Sequence, residues 1–196
     1  SSDVCSSDLR LTTKIFEVRF HGRGGQGAWT ASLLLAQAGL NEEKNIQSFP
    51  AFGPERAGAP ITAFTRISDE QIQIHSSVYE PDVVVVLDPT LLGPAVADGI
   101  QNDTKLIVNT DKTVDEVLGI LGLEGIETWT VDATNLAIDL LGRPITNTAM
   151  LGSVVKATKV VKLNSIVEVV KARFDGKIGE LNAELVTKAY EGVKQG

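Results

Sequence analysis

Apolar and polar positions along the chain follow two regimes. Up to residue 132 short apolar runs alternate with helix-spaced stretches, and beyond it only helical spacing remains. Ile15-Phe16-Glu17-Val18-Arg19-Phe20 alternates residue by residue, the period of a strand with one buried face. Residues 28–38 then read as a helix, and Asn45-Ile46-Gln47-Ser48 as a second strand. Asp82-Val83-Val84-Val85-Val86-Leu87-Asp88 is a continuous apolar run, as expected of a central parallel strand covered on both faces. Pro89 permits a helix through about Ala97. Lys105-Leu106-Ile107-Val108-Asn109 is the next buried strand, residues 114–121 the next helix, and Glu127-Thr128-Trp129-Thr130-Val131-Asp132 a further strand. Strand and helix in alternation specify an α/β fold, a Rossmann-like doubly wound sheet with right-handed crossovers. Ile61-Thr62-Ala63-Phe64-Thr65-Arg66-Ile67 and Gln71-Ile72-Gln73-Ile74-His75 alternate across Ser68-Asp69-Glu70, which predicts an antiparallel hairpin insert. After Ala133 the spacing predicts no strands but a C-terminal helical cap, with helices at 135–141, 148–158, 165–174 and 181–194. In the last of these Leu181, Leu185, Ala189 and Val193 recur every four residues.

Between the first strand and the first helix stands Phe20-His21-Gly22-Arg23-Gly24-Gly25-Gln26-Gly27. Gly22, Gly24 and Gly27 satisfy G-x-G-x-x-G in the setting that gives it meaning, strand then tight turn then helix. Missing Cβ atoms there let backbone N–H groups approach an anion at a helix N-terminus. The pattern reads as a diphosphate cradle; a turn that only packs helix against sheet is the competing reading. A nicotinamide dinucleotide would need an acidic residue roughly 20 residues on, at the tip of the second strand. That strand runs instead into Phe49-Pro50-Ala51-Phe52-Gly53-Pro54, and Glu42 and Glu43 lie before it. The ordinary NAD reading is therefore disfavoured.

Composition narrows the field. The chain has 196 residues, 43% hydrophobic and 22% charged, which is ordinary for a globular domain. Its 25 acidic and 18 basic residues give a net charge of −7 without a basic block, which argues against a nucleic-acid or anionic-membrane surface. No apolar run reaches the roughly 18 residues of a membrane span, so a cytoplasmic protein is expected. Cys5 is the single cysteine, leaving no internal disulfide and no four-thiolate cluster to this chain alone. Ser1-Ser2-Asp3 recurs as Ser6-Ser7-Asp8, so residues 1–9 read as a non-native scar and residues 10–196 as one domain.

Three separated segments together resemble one family. Arg19-Phe20-His21-Gly22-Arg23-Gly24-Gly25-Gln26-Gly27, Phe52-Gly53-Pro54-Glu55-Arg56-Ala57-Gly58-Ala59-Pro60 and Asn147-Thr148-Ala149-Met150-Leu151-Gly152 are similar to the gamma subunits of 2-oxoacid:ferredoxin oxidoreductases, above all those of pyruvate:ferredoxin oxidoreductase. The likeness in segment order covers residues 14 to about 194. It implies a Rossmann-like chain that assembles with alpha and beta subunits binding thiamine diphosphate and magnesium, and with a delta subunit carrying 4Fe-4S clusters. It also implies that the complex converts pyruvate and coenzyme A to acetyl-coenzyme A and carbon dioxide, with ferredoxin as acceptor. A gamma chain of the 2-oxoisovalerate, 2-oxoglutarate or arylglyoxylate enzymes is allowed by the same resemblance. A stand-alone nucleotide-binding regulatory module is the alternative outside it.

The residues themselves fit a chain that binds and positions. No catalytic triad, carboxylate pair or metal-ligand cluster stands out, as expected where thiamine and iron–sulfur chemistry sit on partner chains. Coenzyme A carries a diphosphate, and the expected contacts are Gly22, Arg23, Gly24, Gly25, Gln26 and Gly27. Arg23 calls for a phosphate or a partner carboxylate, or else is exposed to solvent. Gln26 either donates to the same anion or caps the turn. Glu55, Arg56 and Gly58, in the proline- and glycine-rich loop, are expected to face a partner chain or the active site, the alternative being a surface ion pair of little weight. His21 points into the crevice outside the strand ends or is a satisfied structural histidine. Trp29 is bulkier than the resemblance leads one to expect on the first turn of that helix.

Overall fold

A computed structural model of the chain describes residues 14–51 and 57–196. Its elements are β1 (Phe16–Arg23), α1 (Ala28–Asn41), β2 (Asn45–Pro50), β3 (Pro60–Ser68), β4 (Val83–Val86), a 3-10 turn (Pro89–Leu91), α2 (Pro94–Ala97), β5 (Lys105–Asn109), α3 (Val114–Leu121), β6 (Thr128–Val131), α4 (Ala133–Leu141), α5 (Asn147–Thr158), α6 (Leu163–Arg173), α7 (Gly176–Gly192) and β7 (Lys194–Gln195). The strands form one sheet in the order β2-β3-β1-β4-β5-β6-β7.

The four valines of β4 are fully buried because β4 pairs in parallel with β1 and β5 and is covered on both faces. Val83 and Val85 join Val18, Phe20, Ile107 and Val131 beneath α1 and α4 to α7. Val84 and Val86 join Leu106 and Val108 beneath Val96 of α2 and Val117 and Leu121 of α3. The helices therefore divide between the two faces, as the alternating sequence predicts. The first crossover, β1 to α1 to β2, does not bring β2 beside β1. Strand β3 runs between them and is antiparallel to both.

That insertion corrects the expected hairpin. Residues 71–75 form no strand. The antiparallel partners of β3 are β1 and β2, and with both edges taken β3 has none left for the segment that follows it. Residues 71–75 instead run mostly exposed over the sheet, where the Ile74 carbonyl accepts from Gln47 and Arg66. A second correction is at the end of the chain. Strands do not stop at residue 133: α7 ends at Gly192, and Lys194–Gln195 returns antiparallel to β6. Two residues carry no periodicity to read. Phe49 and Pro50, expected in the loop, extend β2, where Phe49 packs on Phe64 at 5.2 Å between ring centroids. Residues 1–9 lie outside the described residues.

The helical cap is tied to the sheet by close contacts. Glu42, capping α1, accepts from the backbone N–H of Lys162 and from Ser165 Oγ, both at 2.6 Å, and so holds the start of α6. Gly152 of α5 faces the backbone of α7, and a Cβ there would run into the Val186 carbonyl. Gly119 of α3, by contrast, is exposed and has open space at its Cβ position. Gly152→Ala should therefore lower stability by about 1–3 kcal/mol through overpacking. Gly119→Ala should raise it by about 0.4–1 kcal/mol by restricting the unfolded chain. Urea midpoints with unchanged slopes check both signs.

Candidate functional site

The turn from β1 to α1 is built backbone first. Gly22 lies where a Cβ would come 3.1 Å from the Ala28 Cβ, so its absence lets the helix start close to the strand. Gln26 N–H donates to the Arg23 carbonyl at 3.0 Å, and the chain passes through φ +94° at Gly25 and φ +77° at Gly27, conformations that favour glycine. A Cβ on Gly27 would also stand 2.6 Å from Asn147 Nδ2. Gly24 exchanges backbone hydrogen bonds with the segment just before β3, donating to Ala59 at 2.8 Å and accepting from Gly58 at 3.1 Å.

The consequence is an uncapped helix. Gly27 offers α1 no side-chain cap, and its first turn holds no acidic residue. Among the described residues the N–H groups of Gly25, Gly27, Ala28, Trp29 and Thr30 have no acceptor. They open on a cavity of about 520 Å³, walled by Trp29, Thr30, Pro50, Ala57, Ile61 and Thr62. A larger cavity of about 890 Å³ lies at the carboxyl ends of β5 and β6, but Asp111, Asp115, Asp132 and Asp139 line it. The helices beside that cavity are already capped, α3 by Thr113 and α4 by Asp132. A helix start of this kind favours an anion in the smaller cavity, whereas around the larger one four aspartates outnumber Lys112 and Lys194.

The side chains of the turn face the other way. Arg23 pairs through Nε with Asp88 Oδ2 at 3.2 Å, donates from Nη2 to Thr90 Oγ1 at 2.9 Å, and donates from Nη1 to the Gly58 carbonyl at 3.2 Å. Gln26 accepts from Arg23 N–H and donates to Asp88 Oδ2, both at 2.7 Å. Partial burial raises the Asp88 carboxyl, but hydrogen bonds from Thr90 and Gln26 and the Arg23 charge outweigh it and hold the group below its ordinary value. Gln26 caps the turn, and Arg23 is neither free nor among the residues lining the cavity. Gly58 is exposed at φ +79° with open space where a Cβ would be. Glu55 and Arg56 lie outside the described residues.

Two contributors had no signal in the sequence reading. Asp88 marks no more than the end of a strand in the sequence, although its place past β4, next to the glycine strand, is where ligands bind in open α/β sheets. Asn147 belonged to a matching segment, yet only the fold brings it against Gly27.

His21 is 94% buried and its Nε2 has no partner among the described residues. Burial, and secondarily the Arg19 charge, push its pKa down to about 3. The ring is neutral at any physiological pH. Below about pH 6.5 the unfolded chain takes up a proton here that the folded chain refuses until about pH 3, so stability falls with pH across that window, by up to about 1.4 kcal/mol per unit. His21→Gln should flatten the pH dependence of urea unfolding between about pH 6 and pH 4 by close to one proton.

Fold and turn define an α/β domain whose first helix starts uncapped beside a cavity. Among the described residues no cluster of three or more His, Cys, Asp or Glu has metal-holding geometry, and no helix is long and apolar enough to cross a membrane. Residues 17–192 match the family model for pyruvate ferredoxin/flavodoxin oxidoreductase. The "Pyruvate/ketoisovalerate oxidoreductases common subunit gamma" of Pyrococcus furiosus is 53% identical over 178 residues, 90% of this chain and 96% of that one. The crystal structure of pyruvate oxidoreductase subunit PORC (EC 1.2.7.1) from Thermotoga maritima superposes with a TM-score of 0.86 at 42% identity, covering 93% of this chain and 99% of that one. A 2-oxoglutarate:ferredoxin oxidoreductase chain from Magnetococcus marinus, solved with 2-oxoglutarate, coenzyme A and succinyl-CoA bound, shares the fold at TM-score 0.73 and 19% identity, with 91% of this chain covering 31% of that one. The chain belongs to the pyruvate ferredoxin/flavodoxin oxidoreductase family, as a gamma-type subunit of an oxidoreductase complex.

Proposed function

We propose that this chain supplies the diphosphate cradle for coenzyme A in a pyruvate:ferredoxin oxidoreductase of the cytoplasm. The observation that carries the reading is the uncapped start of α1, whose first amides, like those of Gly25 and Gly27, have no acceptor among the described residues and lie at a cavity. Coenzyme A fits that donor set. Its diphosphate takes several convergent N–H groups at the positive end of a helix dipole, and neither needs a side-chain cation. Trp29, Pro50 and Ile61 give apolar wall to the rest of the molecule. The partners in this reading are alpha and beta chains with thiamine diphosphate and magnesium, and a delta chain with 4Fe-4S clusters that passes electrons to ferredoxin. Those groups supply decarboxylation and electron transfer; this chain binds, orients and walls off. Arg23 and Gln26 support the turn from behind, and Gly58, which lies beside it, would face a partner chain in this reading.

A second substrate reading is favoured by one observation. The Pyrococcus relative is described as a subunit common to pyruvate and ketoisovalerate oxidoreductases. In this reading the choice of 2-oxoacid belongs to the thiamine-binding chains, and this chain serves either acid through the coenzyme A common to both.

Thr30→Asp separates the cradle from the fold. A carboxylate in the first turn of a helix is stabilising, by about 0.3–1 kcal/mol, so the variant should melt no lower than the parent. It should nonetheless repel the diphosphate, and the loss of a charge-assisted contact worth about 1.5–3 kcal/mol raises the coenzyme A KM roughly tenfold or more in the assembled complex. The pyruvate KM in viologen reduction should change little. An unchanged coenzyme A KM would place the ligand elsewhere.

A further inference from the structure

Asp88 lies one residue beyond Leu87, where β4 leaves the sheet beside the end of β1. Its carboxylate is the meeting point of four donors. Oδ1 accepts from Thr90 N–H at 2.9 Å and from Thr90 Oγ1 at 2.6 Å. Oδ2 accepts from Gln26 Nε2 at 2.7 Å and pairs with Arg23 Nε at 3.2 Å. Each of the last two groups has a second task. Gln26 Oε1 takes the Arg23 N–H and closes the glycine turn, while Arg23 Nη1 holds the Gly58 carbonyl. Gly58 and Ala59 in turn carry the backbone pair with Gly24, and the adjoining Ala57 walls the cavity.

We propose that Asp88 is a positioning residue of the cradle: through Gln26 and Arg23 it fixes the glycine turn and the 57–59 segment relative to each other, so that the free amides converge on the cavity. The turn needs such a brace because Gly25 and Gly27 are backbone positions of wide freedom. An exposed ion pair would have little effect, but this carboxylate is 13% exposed and carries a glutamine amide and a threonine as well as the guanidinium. Arg23 thus acts on the ligand from behind the turn, not by touching it.

The kinetic part of this inference rests on the coenzyme A reading of the cradle; the structural part does not, and the test separates them. In the full chain without ligand, Asp88→Asn should speed amide exchange at Gly24 and Gly58 by about tenfold or more while Leu106 to Val108 of β5 stay as protected as before. Equal exchange at Gly24 and Gly58 would overturn the brace. In the assembled complex the same variant should raise the coenzyme A KM about fivefold or more, with kcat at saturating coenzyme A and the pyruvate KM within about twofold of the parent. Arg23→Gln should do the same, and the double variant should be no worse than the worse single, because both act along one line. Additive effects, or a fall in kcat with an unchanged KM, would overturn the assignment. Faster exchange at Gly24 and Gly58 with an unchanged coenzyme A KM would uphold the brace and refute the coenzyme A reading instead.

Discussion

The site depends on one backbone constraint, the left-handed conformation at Gly27 that turns β1 into α1 with no side chain at the helix start. An ordinary N-cap would place a serine, threonine or aspartate there and satisfy the first amides from within the chain. Here φ is +77° and Asn147 of α5 occupies the space a Cβ would need, so the cap is excluded twice, by strain and by packing. Unsatisfied amides at a helix start are tolerated where water or a ligand completes them. The cap at α3, where Thr113 and Glu116 satisfy each other's orphan donors, is the ordinary alternative that Gly27 excludes.

The opposite face of the same strand solves a different problem. Arg19 and His21 of β1, and Arg66 of β3, point to the side away from α1, and all three are more than 90% buried. Carbonyl groups serve the two arginines: Arg19 donates to Val96 and Asp98, and Arg66 to Ser76 and, weakly, to Ile74. Arg66 also pairs with Glu17 at 2.7 Å and lies 5.2 Å from the Phe49 ring centroid. Removing one member of such a buried pair leaves a charge without compensation, at a cost of about 3–5 kcal/mol. Two arginines thus pin the irregular segments after β3 and around α2 onto the sheet, which is how a face without a long helix is closed beside the site.

The parts of the fold that repeat were legible in the sequence, and the parts that occur once were not. Runs such as Val83 to Val86 and the alternation in β1 announced buried strands because each residue's burial is set by its own element. The placing of β3 between β1 and β2 was not legible, since residues 71–75 alternate more cleanly than residues 45–50 and yet β3 pairs with the latter. Strand β7 is too short to have a period. At the site, the glycines announced the turn because positive φ is a local demand. Asp88 and Asn147 are ordinary residues made functional by what the fold sets against them, and the sequence holds no mark of that. Arg23 shows the limit from the other side: its type and position both suggested a ligand contact, yet the nearest carboxylate is the chain's own.

That internal pairing changes what kind of site this is. A chain of net charge −7 attracts anions poorly at long range, and its larger cavity is lined with aspartates. In the smaller cavity the attraction comes from amides and a helix dipole, which act within about one turn and vanish outside it. Amides do not titrate, and the nearby Asp88 carboxyl, against the effect of its partial burial, is held in its charged form by hydrogen bonds from Thr90 and Gln26 and by the Arg23 charge. Affinity at such a site follows geometry, the number of N–H groups that converge, and not the protonation state of any lysine or histidine. In the coenzyme A reading such a cradle suits a ligand that arrives as the free thiol, takes up an acyl group elsewhere and must leave again as the thioester, since amides would align its diphosphate without the full pull of a bidentate arginine. The arginine that the sequence places in the turn is spent on holding the cradle's shape.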